Sequence, residues 1–256
     1  VPLLEEGRDD AFLRRVETEK FKNFEAFLTR FIINQDHIQR LEQGGRIWNF
    51  PRLRLSVATL NSCEQITHRP NETRGRLSAQ QVESFLTHWG KGPDRLNILA
   101  LHHNPSGVPR QSIEGWGTYI NEKKTLSKEQ IECILDDAWG FQDRERLQHL
   151  VRQCHPQLLL YGHQHASMEH DLWRWNTDGH TPLLGAGSLG VVEKNMPKDF
   201  PNACQLIEIT VAGKMRVLPL EYDPRARVAD KADPGRFIPR GTDRDHPFRT
   251  LCLPEG

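Results

Sequence analysis

The 256-residue sequence lacks net charge, since 34 lysines and arginines balance 34 aspartates and glutamates. No whole-molecule field steers such a chain to nucleic acid or to an anionic membrane, so an anionic substrate must be held by local groups. Long hydrophobic runs are also missing. The longest, Ile98-Leu99-Ala100-Leu101 and Leu158-Leu159-Leu160-Tyr161, have the length of strands, and mean hydropathy is -0.64. A membrane-spanning helix needs about 20 apolar residues, so we expect a soluble chain with no membrane partner. Cysteine is sparse and unpatterned: Cys63, Cys133, Cys154, Cys204 and Cys252 are odd in number and form no Cys-x-x-Cys pair. That excludes a secreted disulfide framework and a zinc ribbon, and it favours a reducing, cytoplasmic setting. There is no charged-then-apolar leader, and the first residue, Val1, leaves open that the chain is a fragment.

What is present alternates between strand and helix. From Asp10 to Ile33 the apolar positions Leu13, Val16, Phe24, Phe27, Leu28 and Phe31 recur every three or four residues, which predicts an amphipathic helix. Asn34 to Pro51, with Gly44-Gly45, reads as loop, and Leu53 to Leu60 as a strand delivering Asn61 and Ser62 to its end. Two Ser-x-x-Gln capping boxes, Ser78 to Gln81 and Ser127 to Gln130, open helices, and a third helix runs from Arg144 to Cys154. Buried strands are predicted at Asn97–Leu101 and Leu158–Tyr161. Beyond them the pattern is purely β, a meander of Met168–Trp175, Pro182–Ala186, Ala203–Val211 and Met215–Glu221. Residues 222–256 replace periodicity with proline and mixed charge, and read as an arm that is extended or disordered in isolation.

The chemistry gathers where two of these strands end. His102 follows Ile98-Leu99-Ala100-Leu101, and His163 and His165 follow Leu158-Leu159-Leu160-Tyr161-Gly162. In extended backbone residues i and i+2 project to the same side, so His163 and His165 can share one site, and Gly162 permits a close turn. A lone His-x-His more often belongs to a solvated turn than to a metal. Two histidine-bearing strand ends together favour a metal site, and imidazole donors suit manganese, iron, zinc or nickel better than calcium or magnesium.

The runs Leu60-Asn61-Ser62, Ile98-Leu99-Ala100-Leu101-His102-His103-Asn104-Pro105 and Leu159-Leu160-Tyr161-Gly162-His163-Gln164-His165, with the helix ending at Trp89 and the later Gly187-Ser188, resemble the calcineurin-like metallophosphoesterase family over roughly residues 1–221. The resemblance implies an α/β (α+β) fold, a two-sheet β-sandwich flanked by helices. It also implies two divalent metal ions, His102 and His163 on one and His165 on the other, with His103 and Asn104 orienting a ligand or lining the pocket. The substrate class it implies is a phosphoester, and the reaction is a phosphatase's or phosphodiesterase's attack by metal-activated water. Arg110, Trp116 and Tyr119, in the loop after His102, suit a phosphate clamp or a stacked base, which tilts the substrate toward a nucleotide or nucleic acid. A plain surface loop explains them equally well.

The family's remaining blocks are absent from this chain. It contains no Gly-Asp and no Asn-His dipeptide, and its one Asp-x-His, Asp178-Gly179-His180, falls between two meander strands. The bridging aspartate and the catalytic histidine are therefore expected upstream of Val1 or on a partner chain, the fold is expected to be incomplete on its N-terminal side with this chain supplying only the second sheet and its helices, and the chain alone is expected to be a weak catalyst. Two other readings compete: a degenerate binding or regulatory module, and a structural zinc site of His102, His163 and His165 with Cys154 as an optional fourth ligand. Sequencing the gene upstream separates the first two, because an Asp-x-His, Gly-Asp and Gly-Asn-His-Asp series there is the expected outcome for an enzyme and its absence favours the module.

Overall fold

The computed structural model describes residues 22, 26, 38–41, 44–63, 74–90, 95–105, 117–118, 126–162, 168–173, 181–187, 202–209, 215–223, 236–239 and 249–251. The expected helix from Asp10 to Ile33 lies almost wholly outside these residues, and the two positions described within it, Lys22 and Ala26, are helical.

The described elements form a mixed α/β fold. A hairpin of β1 (Ile38–Arg40) and β2 (Arg46–Phe50) leads through a 3-10 turn at Pro51–Leu53 into β3 (Leu55–Thr59). Helix α1 (Ala79–His88) precedes β4 (Leu96–Ala100), and helices α2 (Lys128–Trp139) and α3 (Arg144–Cys154) precede β5 (Leu158–Tyr161). Then come β6 (Met168–Trp173), β7 (Thr181–Gly185), β8 (Ala203–Ile209), β9 (Met215–Asp223), β10 (Arg236–Pro239) and β11 (Arg249–Leu251). Seven strands make one sheet in the order β1-β2-β3-β4-β5-β7-β6, with β3, β4, β5 and β7 mutually parallel. A second, four-stranded sheet is built on β9.

Strands β4 and β5 are buried on both faces, which is why Ile98-Leu99-Ala100-Leu101 and Leu158-Leu159-Leu160-Tyr161 are continuous apolar runs rather than alternating ones. Ala58, Leu99, Leu101, Leu159, Tyr161 and Leu183 meet Val82, Phe85 and Trp89 of α1 and Leu147, Leu150, Val151 and Cys154 of α3. The residues between them, Leu55, Val57, Ile98, Leu158, Leu160 and Leu184, meet Ile207, Met215 and Val217 of the second sheet. Helices therefore cover one face of the large sheet and the small sheet covers the other. Both sheets come from this chain, which corrects the expectation that it supplies only one of them.

Two further readings are corrected. The segment taken as loop up to Pro51 contains the β1–β2 hairpin, in which Leu41 N–H bonds Gly45 C=O at 2.8 Å and Gly44 takes a positive φ of 84°. The strands past β5 are not a simple meander, because β7 returns to pair in parallel with β5 while β8 and β9 leave for the second sheet. The C-terminal arm carries two strands: β10 and β11 both pair with β9, at Leu220–Asp223 and Met215–Val217. Since β8 pairs along Met215–Glu221 of the same strand, β10 and β11 must share its other edge.

Turn chemistry sets the entry to β5. Helix α3 ends on His155 in the left-handed region, φ 45°, whose N–H bonds Val151 C=O, and Pro156 prevents the helix from continuing. Tyr161 at the far end of β5 packs the hydroxyl end of its ring against Gly185, where an added Cβ would come within 2.8 Å of it. Burial pushes the Tyr161 phenol well above the ordinary tyrosine range.

Leu99 is fully buried in the central strand, whereas Leu53 is 70% exposed. Leu99→Ala is expected to destabilise the chain by about 2–5 kcal/mol and Leu53→Ala by less than about 0.5 kcal/mol, read from denaturant midpoints. Because the folded state holds Tyr161 protonated, its contribution is complete below the unfolded tyrosine value of about 10 and is lost as pH climbs above it. Stability of the wild type should therefore fall more steeply above that pH than stability of Tyr161→Phe.

Candidate functional site

Parallel pairing brings the carboxyl ends of β3, β4 and β5 side by side, the position at which open α/β sheets place their sites. The ladder continues past the strands themselves: Leu60 N–H bonds Ala100 C=O at 2.9 Å, Leu101 N–H bonds Leu160 C=O at 3.0 Å, and Gly162 N–H bonds His102 C=O at 2.9 Å. The last of these joins the two histidine-bearing ends directly. A Cβ on Gly162 would lie 3.7 Å from His102 O and 3.9 Å from His102 Nδ1, ordinary contact distances. The backbone approach at this glycine is thus close without being forced.

Of the expected ligands, His102 is described and exposed to solvent, while His163 and His165 lie outside the described residues. Arg110 does as well. His103 and Asn104 are fully buried, so they stand behind His102 and do not line an open pocket. The rings of His102 and His103 meet edge to face with centroids 5.0 Å apart. Among the described residues no group of three or more histidine, cysteine, aspartate or glutamate side chains could hold a metal ion. The donor set considered for a metal therefore consists of the exposed His102 imidazole and the two histidines that follow Gly162.

Cys154 cannot complete that set. It closes α3 just before β5 begins, its thiol faces Val151 C=O, and its own carbonyl accepts Trp89 Nε1–H at 3.2 Å. Four strand residues at about 3.3 Å each separate the start of β5 from Gly162, so Cys154 sits by the opposite end of the strands from His102. Cys154 is therefore set aside as the optional fourth ligand of a zinc site.

Behind the histidines stands a buried polar support that the sequence reading missed. Ser62, fully buried at the end of β3, places its Oγ 3.1 Å from His102 N, 3.2 Å from His103 N and 2.9 Å from His103 Nδ1. Asn61 beside it is clasped by the buried Gln81 side chain, whose Oε1 accepts Asn61 N–H at 2.6 Å and whose Nε2 donates to Asn61 C=O at 3.2 Å. Gln81 had a local alternative, the reciprocal bond back to its capping serine. In the second capping box that bond forms, with Ser127 N–H donating to Gln130 Oε1 at 2.8 Å. In the first, Ser78 Oγ still caps Gln81 N–H at 3.2 Å, yet the glutamine amide is turned to the strand end instead.

Gly75 closes the support from the third side. A Cβ there would fall 2.5 Å from His103 Cβ and Cγ, so only glycine lets this backbone lie against the imidazole. The segment is held by Gly75 N–H to Gly140 C=O and by Gln142 N–H to Gly75 C=O, at 2.9 and 2.8 Å. Arg76 Nε and Arg146 Nη1 converge on Asp143 Oδ2 at 3.1 and 3.2 Å, and Arg146 also donates to Leu77 C=O. These contacts pin residues 75–77 to the start of α3.

No protein-family model matches the chain, and no curated protein matches it. Among solved structures it is similar to a single mutant of Vps29 from Entamoeba histolytica, at 14% identity and a TM-score of 0.23, and to a double mutant of the same protein, at 12% and 0.24. Each match covers 72% of this chain and 99% of the other. At those scores the likeness carries no weight for fold or function, and the chain's own residues must do so.

Gln81→Ala would remove these partners from the N–H and C=O of the half-buried Asn61, a loss of about 0.5–1.5 kcal/mol. The expected outcome is that loss in a denaturation experiment, together with faster amide hydrogen exchange at Asn61. Unchanged exchange at Asn61 would show that Gln81 does not hold the strand end.

Proposed function

We propose that this chain carries the histidine-bearing side of a metal-dependent phosphoester hydrolase, with His102, His163 and His165 as ligands of up to two divalent cations and manganese as the first candidate. The observation that supports the reading is the pairing of β4 with β5 in parallel, continued by the 2.9 Å bond from Gly162 N–H to His102 C=O, which sets the backbone leading into His163 beside His102. Such cations, when bound, supply neutralisation of phosphate charge and activation of a water at near-neutral pH. The chain's own residues do the rest. His102 offers an exposed imidazole on a backbone whose amide is tied to Ser62, so the donor is presented from a fixed base. A zero net charge also fits a protein that draws an anionic substrate through local groups. Within the phosphoesters, nucleotides and nucleic-acid diesters remain the preferred substrates because of Arg110, Trp116 and Tyr119 in the loop after His102.

Manganese-dependent hydrolysis of an aryl phosphodiester by the 256-residue chain tests this reading. We expect weak metal-dependent activity, and His102→Ala or His163→Ala to lower it by more than the ~10–100-fold typical of losing an outer-shell partner. Activity indifferent to both substitutions would place the metal ligands elsewhere. Manganese binding without turnover would favour the regulatory module.

A further inference from the structure

Adjacent histidines pose a question that burial alone does not answer: which of His102 and His103 has a nitrogen to give a cation. Ser62 answers it by counting. A serine oxygen has two lone pairs and one proton. The amide N–H groups of His102 and His103 donate to Ser62 Oγ at 3.1 and 3.2 Å and occupy both lone pairs. The hydroxyl proton is then left for the third neighbour, His103 Nδ1 at 2.9 Å. A neutral imidazole that accepts at Nδ1 carries its hydrogen on Nε2.

We propose that Ser62 is a positioning residue that holds His103 as the neutral Nε2–H tautomer, committing both of its ring nitrogens and leaving His102 as the imidazole of this strand end that can ligate a cation. The tautomer stands on the Ser62 geometry, and its use in metal selection rests on the function proposed above. Gly75 supports the same arrangement, since its backbone lies where any larger residue would displace the His103 ring from Ser62. The Ser62–His103 pair is not a nucleophile and its base. Both residues are fully buried, and an oxygen already accepting two hydrogen bonds has no lone pair with which to attack.

The test is side-chain 15N–1H correlation spectroscopy on the full chain, without metal and near neutral pH, with the His103 signals assigned by their loss in His103→Gln. We expect an unprotonated, pyridine-type Nδ1 and a protonated Nε2 in the wild type. Ser62→Ala should move His103 away from that pattern, and Ser62→Thr, which keeps a hydroxyl, should restore it. On titration with zinc, His102 signals should shift while His103 keeps its tautomer. A wild-type His103 protonated at Nδ1, an unaltered pattern in Ser62→Ala, or zinc taking a His103 nitrogen in the wild type would each overturn the proposal. If Ser62→Ala fails to fold, the wild-type spectrum decides the tautomer alone. If zinc does not bind, the metal reading fails while the tautomer is still decided by the metal-free spectra.

Discussion

Everything at the candidate site depends on the burial of β4 and β5 on both faces, with β3 paired in parallel beside β4. A strand covered by helices on one side and by a second sheet on the other has no freedom to slip, because a one-residue shift would exchange Leu99 and Ile98 between two different cores. Register fixed in this way carries through to the strand ends, where Leu60, Leu101 and Gly162 continue the ladder and bring Ser62, His102 and Gly162 into one row. Packing energy in the core is thus converted into placement at the edge.

The edge is rigid for a second reason, which is chemical. Strand ends leave backbone groups without ladder partners, and in a buried setting each must find another. Here the partners are side chains: Ser62 takes the amides of His102 and His103, and Gln81 takes both the amide and the carbonyl of Asn61. Satisfying those groups also orients the imidazole behind His102. One set of hydrogen bonds serves folding and site geometry together.

How much of this was legible in the sequence follows from the range of each signal. Local signals read well: α3 was expected at Arg144–Cys154 and β5 at Leu158–Tyr161, and both have those bounds, because helical spacing and a short apolar run need no distant partner to be recognised. The β1–β2 hairpin was missed since β1 has only three residues, too few to show alternation, and its pairing depends on the turn at Gly44. Strands β10 and β11 were invisible for a related reason, being short and proline-flanked and defined by their pairing with β9. At the site, the histidine pattern and the Asn61-Ser62 strand end were readable as sequence. The roles of Ser62, Gln81 and Gly75 were not, as each acts on a residue at least 20 positions away. Gln81 was even misleading, because its capping-box position names a local partner that it gives up for Asn61.

That this edge of the sheet is an imidazole site for a divalent cation is tested most directly by X-ray absorption at the zinc edge of the chain loaded with one equivalent of zinc. Imidazole scattering with zinc–nitrogen distances of about 2.0–2.1 Å, lost in part in His102→Ala and again in His163→Ala, is the expected result. A shell of oxygen alone, a thiolate at about 2.3 Å, or a spectrum indifferent to both substitutions would contradict it.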